Sequence, residues 1–144
     1  MSDEFDPNSA MGELSQIIRA AAAGDLSAQR QGCQLTFNAM KVASARGDMV
    51  MAQSHTLEMM FWARFAASHG AEDDALMLTA ALAHLSNFWS GDNEWGWYGE
   101  TLMVEATALA DRLASRGNEE AAEALNMIAR SVPPHILQQA KEVA

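Results

Sequence analysis

The sequence predicts an all-α fold of six to seven helices. Apolar residues recur every three or four positions through most of the 144-residue chain, which is typical of amphipathic helices. No stretch alternates apolar and polar residues with enough β-branched side chains to predict a strand. Glycines followed by capping residues separate the periodic stretches. We therefore expect helices at about 9–23, 27–46, 49–69, 72–89, 99–116, 119–130 and 134–143.

The length predicts one domain, because 144 residues can bury roughly 68–70% of the surface that the unfolded chain exposes. We assign residues 9–144 to this domain and residues 1–8, which are acidic and polar, to a disordered tail. The tail has neither the apolar core of a signal peptide nor the basic character of a transit peptide. No segment is apolar for long enough to span a bilayer, so we expect a cytoplasmic protein.

Four glycines mark the predicted turns between helices: Gly24, Gly47, Gly70 and Gly117. A glycine after the last helical residue can adopt the left-handed conformation that ends a helix. An aspartate or asparagine follows three of the four, where its side chain can cap the next helix. We expect these glycines to fold successive helices into antiparallel hairpins.

The stretch from Leu57 to Ala67 is the predicted centre of the fold. Only two charged residues interrupt it, and a helix that is apolar on nearly every side must be covered on nearly every side. Phe61 and Phe65 share one stripe of this helix with Leu57, and Trp62 lies on a second stripe. We expect Phe61, Trp62 and Phe65 to be core residues.

The glycines also suggest an internal repeat, since Gly24, Gly47 and Gly70 are 23 residues apart and Gly117 follows 47 residues later. Small residues precede each of them, in the segments AAAAG, ASARG, AASHG and LASRG. Self-similarity at a fixed period is typical of stacked helical repeats. The alternative is one common helix-stop signal that the chain uses four times.

The best-matching repeat unit covers about 25 residues around FWARFAASHG. Trp62, Ala66, Ala67, Gly70 and Ala75 stand where tetratricopeptide-like repeats, particularly the Sel-one-like kind, carry an aromatic residue, paired alanines, a glycine and a further alanine. The segment resembles one unit of that family. The helix-pair spacing of about 46 residues is longer than the family's repeat, and the family's usual leucine-glycine pair is absent from the following helix. The resemblance implies a right-handed stack of helical hairpins that holds other proteins; a closed helical bundle is the alternative.

Half of the ten aromatic residues fall within residues 88–98, namely Phe88, Trp89, Trp95, Trp97 and Tyr98. We place most of this segment in a break between two helices. Trp89 continues the inward face of the preceding helix, whereas partner contact and packing remain equal alternatives for Trp95, Trp97 and Tyr98. Tryptophan and tyrosine suit binding surfaces because they combine a large apolar area with a polar tip. Asp92 and Glu94 beside them could attract a basic ligand.

The net charge of −10 makes a basic protein or peptide a more plausible partner than nucleic acid. The alternative is that the charge serves solubility alone, which the even spread of acidic residues along the chain favours. Lys and Arg do not cluster, so we expect no nucleic-acid binding. The aromatic residues could instead bury a homodimer interface.

Catalytic signatures are lacking. Cys33, the single cysteine, lies in a predicted helix and is interpreted as a small buried apolar residue. No Glu-x-x-His pair, glycine-rich phosphate loop or paired nucleophile and base is recognisable, so we expect no metal, no cofactor and no catalytic residue. The predicted function is a non-enzymatic scaffold that binds a protein or peptide. The alternative is a helical bundle that holds a small molecule as a sensor or enzyme.

Overall fold

The structure is a computed structural model that describes residues 7–89 and 96–143, with side chains from residue 12 onward. These residues form seven α-helices and, within the same ranges, no strand. The helices are α1 (Pro7–Ala22), α2 (Leu26–Ala45), α3 (Met49–Ala67), α4 (Glu72–Trp89), α5 (Gly96–Ser115), α6 (Glu119–Ser131) and α7 (Pro134–Val143). The predicted all-α class is confirmed.

Most helix boundaries lie within two residues of the prediction, and those of α4 and α7 coincide with it. Two starts differ. Helix α1 begins at Pro7, which is favourable in the first helical turn, so Pro7 and Asn8 belong to the helix and not to the predicted tail. The rest of that tail, residues 1–6, lies outside the described residues. Helix α5 begins at Gly96 and not at the predicted Gly99, which places Trp97 and Tyr98 in its first turn.

The turns between helices follow the predicted glycine pattern. Gly24, Gly47, Gly70 and Gly117 all have positive φ, between 72° and 97°. Asp25, Asp48 and Asn118 then accept main-chain N–H hydrogen bonds with their side chains and cap α2, α3 and α6. Turns this short force consecutive packed helices to run in opposite directions.

Consecutive helices from α1 to α6 pack against each other, and α7 packs on α5. Side-chain pairs also join alternate helices: Arg30–Asp74 (α2 to α4), Glu72–Asn118 (α4 to α6), Arg64–Glu105 (α3 to α5) and Glu100–His135 (α5 to α7). The even-numbered helices α2, α4 and α6 therefore form one layer, and the odd-numbered helices α3, α5 and α7 form the other. We call these the even layer and the odd layer.

The main core lies between the layers and is built largely from α3, α4 and α5. Its most buried large side chains include Met59, Leu82 and Leu85. A smaller cluster around Met40 and Ala52 extends the core between α2 and α3. In the described ranges, no helix has the length and apolar character required to cross a bilayer.

Candidate functional site

Three aromatic rings contact one another in series where the end of α4 meets the start of α5. Trp97 contacts Tyr98 edge-on, with ring centroids 5.6 Å apart and an interplanar angle of 67°. Tyr98 in turn lies 5.1 Å from Trp89 at the end of α4. Trp89 and Tyr98 are half-buried against the main core, whereas Trp97 is 65% exposed. Trp97 thus projects into solvent, while the Tyr98 ring that it contacts is packed against Trp89 and the main core. Trp95, Asp92 and Glu94 lie outside the described residues.

The prediction that Phe61 and Phe65 are core residues is wrong. Phe61 is 49% exposed and Phe65 is 52% exposed, because both lie on the side of α3 that faces away from the buried Met59 and Ala63. Trp62, the third predicted core residue, is half-buried and packs against the main core. Its ring also contacts that of Phe65, with centroids 6.1 Å apart.

The sequence contained a signal for this orientation. Ser54 and Glu58 fall on the same side of the helix as Phe61 and Phe65, and both are exposed. The opposite side carries only small, apolar or hydroxyl residues, among them Ala52 and Thr56, both fully buried. The polar residues Ser54 and Glu58 therefore identify the exposed side of α3 better than the aromatic residues do.

An ion pair joins this part of α3 to α5. Arg64 Nη1 and Nη2 donate to Oε1 and Oε2 of Glu105, at 2.5 and 3.0 Å. These hydrogen bonds are the main reason why the pKa of Arg64 is raised. Electrostatic interactions with Glu105 and Tyr98 raise it further. The ion pair holds α3 and α5 side by side. Along α3, Arg64 is next to Phe65 and one turn after Phe61; along α5, Glu105 is about two turns after the aromatic residues at the start of the helix. No sequence spacing signalled this pairing across 41 positions.

A shallow groove continues along α5 from this point, with a volume of about 460 Å³. It is lined by Thr101, Val104, Ala108 and Leu109 of α5, with Leu78 of α4 and Val143 of α7, and by the charged residues Glu105 and Arg112 of α5. Thr101 lies one helical turn after Trp97 and donates its hydroxyl to the Trp97 carbonyl at 2.9 Å. Trp97 therefore stands at one end of this α5 groove. We call Phe61, Phe65 and Trp97 together the outer aromatic surface.

The even layer contains a separate pocket of about 320 Å³ between α2, α3 and α4. Arg30 forms a two-bond ion pair on its wall, with Nε and Nη2 donating to the Asp74 carboxylate at 2.9 and 2.7 Å. These bonds are the main cause that raises the pKa of Arg30, and the charge of Asp73 adds to the effect.

Cys33 lies at the base of this pocket and is buried, as predicted. Burial, with a smaller contribution from the charge of Asp74, raises the pKa of its thiol to about 11. A thiol in that environment stays protonated at neutral pH and is a poor nucleophile.

The buried hydroxyl groups serve structure. Those of Thr36, Thr56, Thr79 and Thr107 donate to main-chain carbonyls within their own helices. Ser86 of α4 donates to the Gly99 carbonyl at 2.6 Å and so ties α4 to α5. Among residues 7–89 and 96–143, no group of three or more His, Cys, Asp or Glu side chains is placed to hold a metal ion.

Comparison with protein-family models, curated proteins and solved structures found no match for this chain. The resemblance to tetratricopeptide-like repeats therefore stays a prediction, as does the handedness of the stack.

Proposed function

We propose that this protein is a non-enzymatic helical scaffold that binds a protein or peptide through the outer aromatic surface and the α5 groove. The observation that carries the proposal is the exposure of Phe61, Phe65 and Trp97, which are 49%, 52% and 65% exposed. They lie on two odd-layer helices that the Arg64–Glu105 pair holds together. Exposed aromatic side chains next to an apolar groove are typical of protein-binding surfaces.

The geometry limits what an occupant must provide. The groove runs along α5 from Thr101 to Arg112, which is about 16 Å at the rise of an α-helix. That length suits three turns of a partner helix or about five residues of an extended strand. Apolar side chains of the partner would enter between Val104 and Leu109, and a larger apolar side chain would pack on Trp97.

Two further features support a scaffold. The glycine turns produce helical hairpins, the arrangement that the resemblance to tetratricopeptide-like repeats implies. The α5 groove and the even-layer pocket are open to solvent, as the surfaces of a scaffold are. In the pocket Arg30 and Asp74, two of the three charged residues that line it, already bind each other, which favours a scaffold over a bundle that orients a small ligand.

The test compares partners captured by three forms of the protein. A triple variant, Phe61→Ala, Phe65→Ala and Trp97→Ala, removes the outer aromatic surface. The control variant, Leu35→Ala, Val42→Ala and Met127→Ala, removes three other exposed apolar side chains. We expect quantitative affinity capture to recover a partner with the wild type and the control and to lose it with the triple variant.

Direct titration of the recovered partner by calorimetry should then show a loss of at least about tenfold in affinity for the triple variant only, as for the removal of interface anchors. Equal recovery of the same partners by all three forms would contradict the proposed surface. Light scattering on the wild type and the triple variant tests whether the partner is a second copy of the chain. A dimer that forms in the wild type and is lost in the triple variant would make the surface a homodimer interface.

A further inference from the structure

The even layer carries a second groove, distinct from the outer aromatic surface. It consists of the pocket between α2, α3 and α4, of about 320 Å³, and an adjoining shallow hollow between α4 and α6, of about 420 Å³. Asp73 and Met77 of α4 line both parts. We call the combined feature the even-layer groove; it crosses α4 from α2 to α6.

Small apolar side chains form the deeper part. Cys33, Ala63 and Ala66 are all buried at its base, and each is too short to fill the space above it. In the shallower part, Leu76, Met77 and Ala80 present apolar atoms to the opening. An apolar side chain of a partner could therefore pack over this base, with Arg30, Gln34 and Asp74 on the wall of the pocket.

The rim of the groove is acidic. Asp73 at the start of α4 and Glu120 at the start of α6 line the same hollow, and both are exposed. The Asn118 amide donates to the Glu72 carboxylate at 3.1 Å and holds these two helix starts together, so that Glu72 lies close by. The positive ends of the α4 and α6 dipoles stabilise these carboxylates.

The cation on the rim is already engaged. Arg30 binds Asp74 through two hydrogen bonds, which leaves the outward-facing Asp73 and Glu120 to set the charge that a partner meets. An apolar floor with a negative rim is complementary to a short segment in which basic side chains flank an apolar one.

We propose that the even-layer groove binds such a basic segment of a partner protein, with the apolar side chain over Cys33, Ala63 and Ala66 and the basic side chains beside Asp73 and Glu120. The groove and the outer aromatic surface lie on different layers. The chain would then hold two partner segments of different chemistry at once, and this inference does not depend on the proposed function of the odd layer.

The test is an NMR titration of the full ¹⁵N-labelled chain with a short peptide in which two lysines flank a leucine. Companion peptides replace the lysines by glutamates or the leucine by glycine. We expect the lysine–leucine peptide to shift the amide signals of Ala63, Ala66, Asp73 and Met77, and both companions to bind at least about tenfold more weakly.

Charge-reversed variants separate the groove from the net negative charge of the protein. Asp73→Lys with Glu120→Lys reverses two rim charges, and Glu13→Lys with Glu142→Lys makes the same change in net charge at exposed positions on α1 and α7. The rim variant should bind the lysine–leucine peptide at least about tenfold more weakly, and the control within about twofold of the wild type. The neutral variant Asp73→Asn with Glu120→Gln should give an intermediate affinity, which keeps the test informative if the rim reversal unfolds α4 or α6.

Three results would overturn the inference: equal weakening in the rim and control variants, shifts confined to α5, or shifts with no preference for lysine over glutamate. The triple variant of the outer aromatic surface should bind this peptide as the wild type does. A failure of one proposal can therefore be told from a failure of the other.

Discussion

The indole ring of Trp62 lies directly against Gly32, and this contact brings α3 close to α2. A β-carbon added to Gly32 would lie 3.0 Å from Trp62 Cδ2 and 3.1 Å from Trp62 Cγ. Glycine inside a helix costs about 1 kcal/mol relative to alanine, so its presence in the middle of α2 needs a compensating contact. The flat face of the indole on the bare backbone provides that contact.

Replacement of Gly32 by alanine should therefore depend on Trp62. In the wild type we expect Gly32→Ala to lower the free energy of unfolding by about 1 kcal/mol, because the indole must move and overpacking outweighs the gain in helix propensity. In a Trp62→Leu background the same change should raise it by up to about 1 kcal/mol, since only the propensity gain remains. Urea unfolding of the four proteins in a double-mutant cycle measures this coupling, and additive effects would contradict the contact.

The exposure of Phe61 and Phe65 can be tested by stability alone. We expect Phe61→Ser and Phe65→Ser each to change the free energy of unfolding by no more than about 1 kcal/mol, because neither leaves a closed cavity. Leu82→Ala, at a fully buried position, should cost about 2–5 kcal/mol. Chemical denaturation of the three variants decides the matter, and a cost for Phe61→Ser as large as that for Leu82→Ala would place Phe61 in the core.

A comparison of Gly117 with Gly12 tests how much a positive φ contributes to the effect of replacing glycine by alanine. Gly117 has φ of +92°, and no atom lies within 4 Å of the place that an alanine methyl group would take. Gly117→Ala should therefore lower the free energy of unfolding by about 1 kcal/mol through backbone strain alone. Gly12 lies inside α1 with equally open surroundings, and Gly12→Ala should raise it by about 0.5–1 kcal/mol. Thermal and urea unfolding should show opposite signs, whereas the same sign at both positions would mean that backbone conformation is not the cause.

Cys33 should be unreactive in the native protein. Its pKa of about 11 leaves roughly a hundredfold less thiolate at pH 8 than a free cysteine has. We expect negligible reaction with a disulfide reagent at pH 8 until urea unfolds the chain, and fast native labelling would contradict the burial.

The same pKa predicts a loss of stability at high pH. The folded state holds the thiol proton more tightly than the unfolded state, in which the pKa is about 8.5. The contribution of Cys33 is therefore fully present below that pH and is lost as the pH rises towards 11. Cys33→Ala should remove this part of the decline in alkaline urea titrations.

Local sequence signals predicted the helices well because they act within a few residues. The acidic triplet at Glu72 begins α4, Asn118 caps α6, and the glycines end four helices with positive φ. Where such signals are absent, as at the start of α5, the predicted boundary at Gly99 was three residues late. Trp97 and Tyr98 consequently moved from a predicted loop to a helix.

The candidate surfaces were less accessible to prediction because they depend on which helices become neighbours. The sequence left partner contact and packing as equal alternatives for Trp97, which the structure places 65% exposed. The pairing of Arg64 with Glu105 spans 41 positions and the pairing of Arg30 with Asp74 spans 44. Spacings of that kind carry no periodic signal. The even-layer groove likewise arises only when α4 and α6 lie side by side.

By itself, the sequence determined the all-α class, the number of helices and the places where the chain reverses. Those features follow from the conformational preferences of glycine, from capping side chains and from apolar periodicity, and all of these act locally. Only the tertiary structure decided that the phenylalanine stripe of α3 faces outward, because aromatic residues in a helix that is apolar on nearly every side do not by themselves mark its inward side. Trp62 packs against Gly32 of α2, whereas Phe61 and Phe65 face solvent.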